Sequence, residues 1–147
     1  MGKLRIMKIK DYPRLYELWI NTPGMGLNSI DDTIEGFTRF LRRNPHTCFC
    51  YEEDGMILGA IMAGNDGRRG YIYHTAVHPS CQRKGIGTML LEEALKALEK
   101  EGISKAALVV FECNKVGNTF WQEMGFSQRK DIIYRNRSLK EAERIDT

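Results

Sequence analysis

The segment Gln82-Arg83-Lys84-Gly85-Ile86-Gly87-Thr88 brings glycines and basic side chains together directly before a predicted helix. A helix begins with unpaired N–H groups and a partial positive charge. Glycine in the loop that leads into the helix lets the backbone approach a phosphate closely. Arg83 and Lys84 add positive charge, and Thr88 offers a hydroxyl. The segment therefore predicts a pyrophosphate site, with a plain strand-to-helix turn as the alternative interpretation.

Other patterns that would indicate chemistry are missing from the sequence. There is no G-x-x-x-x-G-K-[ST] motif, and the third glycine of the dinucleotide-binding fingerprint is absent. The cysteines, Cys48, Cys50, Cys81 and Cys113, form no C-x-x-C pair, and no Cys, His and acidic residues lie at zinc-ligand spacings. We therefore expect reduced, mostly buried cysteines, no metal, and no covalent catalysis by Cys81 or Cys113.

Length and composition favour one domain spanning residues 1–147. The chain is long enough to bury a core without disulfides, and its 42% hydrophobic and 28% charged residues are ordinary for a globular protein. It has no apolar run long enough to cross a membrane and no secretory signal at its start, so we expect a cytoplasmic protein. The net charge of +3 is too small to indicate nucleic acid by itself.

The elements that must position the phosphate segment are predicted in the order β-α-α-β-β-β-α-β-α-β, a mixed α/β sheet. Asp11 is expected to cap the first helix, Ser29 or Asp31 the second, and Asp54-Gly55 to close a hairpin. Residues 138–147 form a charged tail, expected to be mobile or helical. The first predicted strand begins at residue 4, and the others cover 47–51, 56–63, 71–77, 106–111 and 132–134. The predicted helices cover 13–20, 29–43, 87–101 and 115–124.

Two motifs in this order resemble segments of the GNAT family of N-acetyltransferases. The first is Gln82-x-x-Gly85-x-Gly87, which follows a strand ending in Ala76-Val77-His78-Pro79 and precedes Leu90-Leu91. The second is Asn114-x-x-Gly117-x-x-Phe120-Trp121-x-x-x-Gly125-Phe126. The element order over residues 4–137 is also similar to the fold of that family.

The resemblance implies a GNAT-like acyl-CoA N-acyltransferase fold, with the sheet splayed between strands 71–77 and 106–111 and acetyl-CoA in the gap. It implies transfer of an acetyl group to a primary amine, of a small molecule or a protein, by direct attack on the thioester. The backbone near Ala76 and Val77 would pair with the pantetheine arm, and Asn114 would bind that arm or begin a helix. The residues implied for acetyl-CoA are Ala76, Val77, Gln82, Arg83, Lys84, Gly85, Ile86, Gly87, Thr88, Asn114 and Trp121.

The chain departs from the family where proton transfer is concerned. Trp121 stands where many members have a tyrosine that acts as the acid, and the strand over 71–77 has no carboxylate to act as a base. The catalytic candidates are Tyr73, a phenol near the thioester, and Glu112, a carboxylate just past strand 106–111. His74, whose imidazole type exchanges protons near neutral pH, and Tyr134 are further candidates. Strand alternation predicts Tyr73 and His74 on opposite faces.

The acceptor pocket is expected to involve residues 20–36 and the turn over 65–70. Asp31, Asp32 and Glu35 suit a cationic amine, or simply the positive end of a helix. Arg68 and Arg69 suit an acidic acceptor, or a solvated turn.

The expected partners are acetyl-CoA and an amine acceptor, without nucleic acid or membrane, and a homodimer stays open. Two alternatives are kept. One is a non-catalytic module that binds or senses acyl-CoA; the other is a nucleic-acid binder that uses Arg129, Lys130, Arg135 and Arg137.

Overall fold

A computed structural model of the chain describes residues 2–146, so Met1 and Thr147, at the ends of the predicted domain, lie outside the described residues. Within this range the order of the elements agrees with the predicted one up to the fourth helix. The strands are β1 (Lys3–Ile6), β2 (Phe49–Glu53), β3 (Met56–Asn65), β4 (Gly70–Val77) and β5 (Ala106–Ala107). The α-helices are α1 (Tyr12–Ile20), α2 (Ile34–Arg43), α3 (Ile86–Lys100) and α4 (Lys115–Glu123), and short 3-10 turns cover Ile9–Asp11 and Pro79–Cys81.

The strands form one sheet in the order β1-β2-β3-β4-β5, antiparallel except for the parallel pair β4 and β5. An apolar cluster covers each face. Trp19 of α1 and Phe37 of α2 lie in the cluster on one face, whereas Leu90 and Leu98 of α3 lie in the cluster on the other. The mixed α/β prediction is therefore confirmed. None of the helices in the described part of the chain is long and apolar enough to span a bilayer.

Local sequence explains most of the element boundaries. Asp54 and Gly55 have φ values of 51° and 77°, so the β2–β3 hairpin turns in the left-handed conformation that its sequence predicts.

The predicted caps of the first two helices are wrong. Thr33, not Ser29 or Asp31, caps α2 by accepting a hydrogen bond from the Gly36 amide at 3.1 Å. The preceding residues form turns, so this helix begins at Ile34 rather than near residue 29.

Asp11 makes no side-chain cap on α1 because its carboxylate is committed elsewhere. It accepts hydrogen bonds from Arg5 at 2.8 and 3.0 Å, from Arg14 at 2.8 Å and from the Lys8 amide at 2.8 Å. Glu52 binds the same two arginines. Charge-assisted bonds of this kind are stronger than a neutral cap. The network joins β1, α1 and β2 at the edge of the sheet.

The last predicted strand, 132–134, is wrong. The segment forms no strand, and Ile132, Ile133 and Tyr134 are exposed. The strand predicted over 106–111 is only two residues long in the structure. Residues 132–134 therefore have no long neighbouring strand with which to pair, although their side chains favour strands.

The C-terminal tail forms no helix over residues 138–146, so the helical alternative is wrong there. An isolated antiparallel bridge joins Arg144 to Asn28. The Ser29 amide donates to the Glu143 carbonyl at 2.9 Å, and the Ile145 amide donates to the Leu27 carbonyl at 3.0 Å.

Strand β4 contains a bulge that decides where its side chains point. Ile72 and Thr75 are three residues apart, but they oppose Ala63 and Ile61 of β3, which are two apart. The extra residue breaks the alternation, as bulges do. Consequently Tyr73 contacts Phe40 of α2 and His74 contacts Trp19 of α1, on one face of the sheet. The prediction that Tyr73 and His74 lie on opposite faces is therefore wrong.

Asp11 provides a test of the edge network. Burial alone would raise the pKa of its carboxyl, but the hydrogen bonds from Arg5 and the Lys8 amide, together with the Arg5 and Arg14 charges, hold that pKa below its usual value. A lowered pKa stabilises the fold above the unfolded value of about 3.9, and the stabilisation is lost as the pH falls through the folded value. We expect Asp11→Asn to lower the free energy of unfolding by about 1.5–3 kcal/mol at pH 7.

Urea unfolding at neutral and acidic pH measures this effect. The loss of stability below about pH 4 is expected to be smaller in Asp11→Asn than in the parent. Asp54→Asn, in the β2–β3 turn, is the control and should behave as the parent does. Equal acid sensitivity in Asp11→Asn and the parent would contradict the assignment.

Candidate functional site

A cleft of about 1190 Å³ opens where β4 and the segment after β5 part. One wall is β4 from Tyr71 to Thr75, and the other is the segment from Leu108 to Phe111. The remaining lining comes from the loop that leads to α2, from α2 itself, from β3, from α4 with its capping residue, and from the segment after α4. These residues are Gly24, Met25, Gly26, Asn28, Asp31, Asp32, Gly36, Arg39, Phe40, Arg43, Met62, Asn114, Trp121, Tyr134 and Asn136.

The cleft exists because the pairing of the two parallel strands ends early. Gly70 pairs with Ala106 and Tyr71 with Ala107, and the ladder stops there. From Ile72 onward, β4 keeps β3 on one side and faces the cleft on the other. A strand edge without a neighbouring strand presents backbone donors and acceptors to a ligand.

The predicted phosphate segment lies at the N-terminus of α3, as expected. Gly85, the residue before the helix, has a φ of 80° and Arg83 a φ of 66°, so the backbone turns through left-handed conformations there. The Met89 amide donates to the Gly85 carbonyl at 3.0 Å. The amides of Ile86, Gly87 and Thr88 precede that bond and have no partner within the helix. Arg83 and Lys84 are exposed, like Gly85.

Two residues predicted to bind pantetheine occupy different surroundings. Ala76 is buried and pairs with Ala60 of β3. Val77 is half-buried, and its carbonyl accepts a hydrogen bond of 3.3 Å from the Gln82 side chain. Gln82 therefore ties the end of β4 to the phosphate segment.

The second motif forms α4 and the turn before it. The Asn114 side chain accepts from the Gly117 amide at 2.9 Å, so it caps α4, one of the two roles implied for it. A Cβ added at Gly117 would lie 2.5 Å from Asn114 Nδ2, which explains why glycine fits here. Trp121 packs between Phe120 and Phe126, with ring centroids 4.9 and 5.4 Å away, and it also lines the cleft.

An acid–imidazole pair lies on the β4 wall of the cleft. His74 Nε2 is 2.6 Å from Asp32 Oδ1, and Asp32 is buried. The other carboxylate oxygen accepts from the Asn28 amide at 2.8 Å, and the Trp19 ring lies 5.0 Å from the imidazole, edge to face. If the carboxylate accepts from Nε2–H, the imidazole keeps Nδ1 as a proton acceptor.

The sequence does not indicate that Asp32 and His74 form a pair, or that the pair lies at the cleft. Asp32 stands in a polar stretch 42 residues before His74, and only the β4 bulge turns the imidazole toward α1. Asp32 is thus not a simple helix-terminus acid, whereas Glu35 is exposed on the first turn of α2.

The two main catalytic candidates, Tyr73 and Glu112, lie in different places. Tyr73 lines the cleft and is 50% exposed; partial burial, with Tyr134 and Asp31 nearby, raises the pKa of its phenol. Tyr134 also lines the cleft, but from an extended segment rather than a strand. Glu112 is exposed and is not among the residues that line the cleft, so its catalytic role stays a prediction.

The acceptor side of the cleft agrees only in part with the prediction. Residues 24–36 contribute to the lining, as expected, but the turn over 65–70 does not. In that turn, Asp66 accepts from the Arg68 and Arg69 amides at 2.8 Å. Hydrogen bonds that close the turn on itself explain its conformation without a ligand.

The tail reinforces the acceptor side. Asp146 accepts from the Leu27 amide at 2.7 Å and from the Gly26 amide at 3.2 Å, and Arg144 lies 6.0 Å from the centre of the Phe111 ring. Residues 143–146 therefore connect two walls of the cleft.

Asp146→Ala tests whether these bonds order the loop. Hydrogen bonds to a charged acceptor contribute about 1.5–3 kcal/mol, so we expect amide exchange at Gly26 and Leu27 to accelerate roughly 10- to 100-fold. Hydrogen exchange followed by NMR measures it. Glu141→Ala, in the same tail, is the control, and equal exchange in both variants would contradict the assignment.

Known proteins resemble the chain over most of its length. A family model described as the acetyltransferase (GNAT) family matches residues 12–126. An acetyltransferase of Photorhabdus laumondii is 26% identical over 147 residues, covering 96% of this chain and 99% of the relative.

Two solved structures share the fold. Ard1 from Thermoplasma volcanium has a TM-score of 0.76 at 20% identity, covering 86% of this chain and 82% of that one. The PaiA N-acetyltransferase from Thermoplasma acidophilum, solved in complex with coenzyme A, has a TM-score of 0.75 at 22% identity, covering 86% and 90%.

Proposed function

Because the chain belongs to the GNAT family of acetyltransferases, with acetyl-CoA as the donor, we propose that it transfers the acetyl group to a primary amine that enters the cleft beside β4. The observation that carries the proposal is the continuity of two sites. The phosphate segment at the start of α3 follows β4 directly, and β4 leads into the cleft that holds the Asp32–His74 pair. A cytoplasmic location belongs to the same proposal, supported by cysteines that are all free.

The residues present fit acetyl-CoA along its length. The amides of Ile86, Gly87 and Thr88 and the nearby Arg83 would hold the pyrophosphate, since a helix N-terminus attracts anions. The edge of β4 would pair with the pantetheine arm, and Trp121 and Asn114 would line the gap. The bound thioester supplies an activated acetyl carbon.

In the proposed reaction the neutral amine attacks that carbon, a C–N bond forms, and the C–S bond breaks. His74 accepts the proton that the nitrogen loses, and Asp32 fixes the ring and stabilises its positive charge. Tyr73, one of the tyrosines that line the cleft, would donate a proton to the departing thiolate. Trp121 only packs there, since an indole has no acidity for this role.

Two measurements test the proposal. Calorimetric titration with acetyl-CoA should show binding, and absence of binding at millimolar concentration would overturn it. A thiol-release assay over primary amines should show acetyl-CoA cleavage that depends on the amine. Binding without turnover on any amine would favour the alternative, a non-catalytic module that senses acyl-CoA. The observation that supports this alternative is Trp121, which stands where many family members have a catalytic tyrosine.

A further inference from the structure

The acceptor side of the cleft carries charges of both signs that do not neutralise one another. Asp31 and Asp32 come from the loop before α2, and Arg39 and Arg43 come from α2 itself. Asp32 is held by His74. Neither Arg39 nor Arg43 takes part in an ion pair with any residue between 2 and 146.

Helix geometry places the two arginines together. Positions i and i+4 of a helix are neighbours on its surface, so Arg39 and Arg43 extend from one side of α2. Phe40, on the same helix, contacts the Tyr73 ring at 5.2 Å between centroids. The contact holds this side of α2 against β4 at the bulge that also presents His74. The arginines thus line the same cleft as the base.

Two arginines at the edge of the sheet, by contrast, form ion pairs within the protein. Arg5 and Arg14 are both paired with Asp11 and Glu52. Arg42 lies between the two cleft arginines in sequence, yet it does not line the cleft. Two arginines that line the cleft and have no ion pair with a described residue are suited to a carboxylate, which a guanidinium binds through paired N–H donors.

We propose that the acceptor carries a carboxylate as well as its amine, and that Arg39 and Arg43 bind the carboxylate while the amine lies at the Asp32–His74 pair. The inference rests on the proposed function and narrows it to amino-acid-like acceptors. A purely cationic amine is attracted by Asp31 and Asp32 but repelled by the two arginines, whereas a molecule with both charges complements both groups of side chains.

A paired series of small amines tests the proposal. Each ω-amino acid from glycine to ε-aminohexanoate, and L-alanine, is compared with its own carboxamide, which keeps the amine and loses the negative charge. We expect at least one acid to exceed its amide roughly 10- to 100-fold in kcat/KM, the value of a charge-assisted hydrogen bond. In the double variant Arg39→Ala/Arg43→Ala the ratio of kcat/KM for the acid to that for its amide should fall to near one. In the control Arg42→Ala this ratio should stay as in the parent.

Direct binding separates this proposal from the proposed function. Titration of the same acids and amides into the protein saturated with CoA requires no turnover. If the acids bind more tightly than their amides and the double variant Arg39→Ala/Arg43→Ala loses this preference, the carboxylate site is supported. If, in addition, no amine is acetylated, only the proposed acetyl transfer is contradicted. Acids that bind and react no better than their amides, or a preference that survives loss of both arginines, would overturn the carboxylate site.

Discussion

Replacement of His74 by glutamine is expected to lower kcat for acetyl transfer by about 100- to 10,000-fold, the usual contribution of a positioned base. The reason is geometric. His74 lines the cleft, and its ring is fixed by Asp32 at 2.6 Å and by the edge-to-face contact with Trp19. Glutamine can donate and accept hydrogen bonds but cannot take the proton from the acceptor nitrogen. Steady-state kinetics with saturating acetyl-CoA measure the change.

The pH profile distinguishes a base from a structural residue. A protonated imidazole cannot accept a proton, so we expect kcat/KM of the parent to fall toward acidic pH and His74→Gln to lose that dependence. Asp32→Asn should give a smaller loss of kcat, because the ring stays but loses its carboxylate partner. His46→Gln, at an exposed position, is the control. A His74→Gln profile parallel to that of the parent would show that the imidazole is only structural.

The parts of the molecule that depend on local sequence could be predicted from it. The hairpin at Asp54-Gly55 needs left-handed backbone, and the sequence has an Asp-Gly step there. The apolar spacing of α3 buries Leu90, Leu91 and Leu98, as its periodicity requires. The glycine-containing loop before α3 could also be predicted, since such a loop is defined within a few residues. Such features depend on neighbours in the chain.

The Asp32–His74 pair and the bulge that presents it depend on contacts between distant parts of the chain. Alternation predicts His74 on the face opposite Tyr73, and only the register of β4 against β3 shows the extra residue. Similarly, the sequence predicts Ser29 or Asp31 as the cap of α2, whereas the hydrogen bonds of the preceding residues leave that role to Thr33. Asp31 accepts from the Asn28 side chain and Asp32 meets His74, which leaves Thr33 to begin α2.

The early end of β5 follows from the same kind of long-range effect. The apolar run from Ala106 to Phe111 has the composition of a buried strand, yet only Ala106 and Ala107 find partners on β4. The residues beyond them, from Leu108 to Phe111, line the cleft instead of a ladder. A run that satisfies strand propensity therefore forms a wall of the candidate site, a function that propensity alone does not reveal.

Replacement of Gly85 by valine is expected to weaken acetyl-CoA binding roughly 100- to 1,000-fold, because loss of one or two charge-assisted hydrogen bonds has about that effect. Gly85 has a φ of 80°, which a β-branched residue does not adopt without strain. Relief of that strain would rotate the amides of Ile86 and Gly87 away from a common centre. Apart from its neighbours in the chain, no atom of residues 2–146 lies within 4 Å of a Cβ built at Gly85, so the substitution changes the backbone and the space in front of the helix rather than the core.

Gly85→Asn is the matched variant, since asparagine tolerates the left-handed conformation, and its loss of affinity should be much smaller. Calorimetric titration with acetyl-CoA measures both variants, and their thermal unfolding midpoints verify that each is folded. Because the strain acts on the amide array and not on the cleft, Gly85→Val should retain its turnover number once acetyl-CoA is raised to saturation. Parent-like affinity in Gly85→Val would mean that the start of α3 is only a turn and that the pyrophosphate is bound elsewhere.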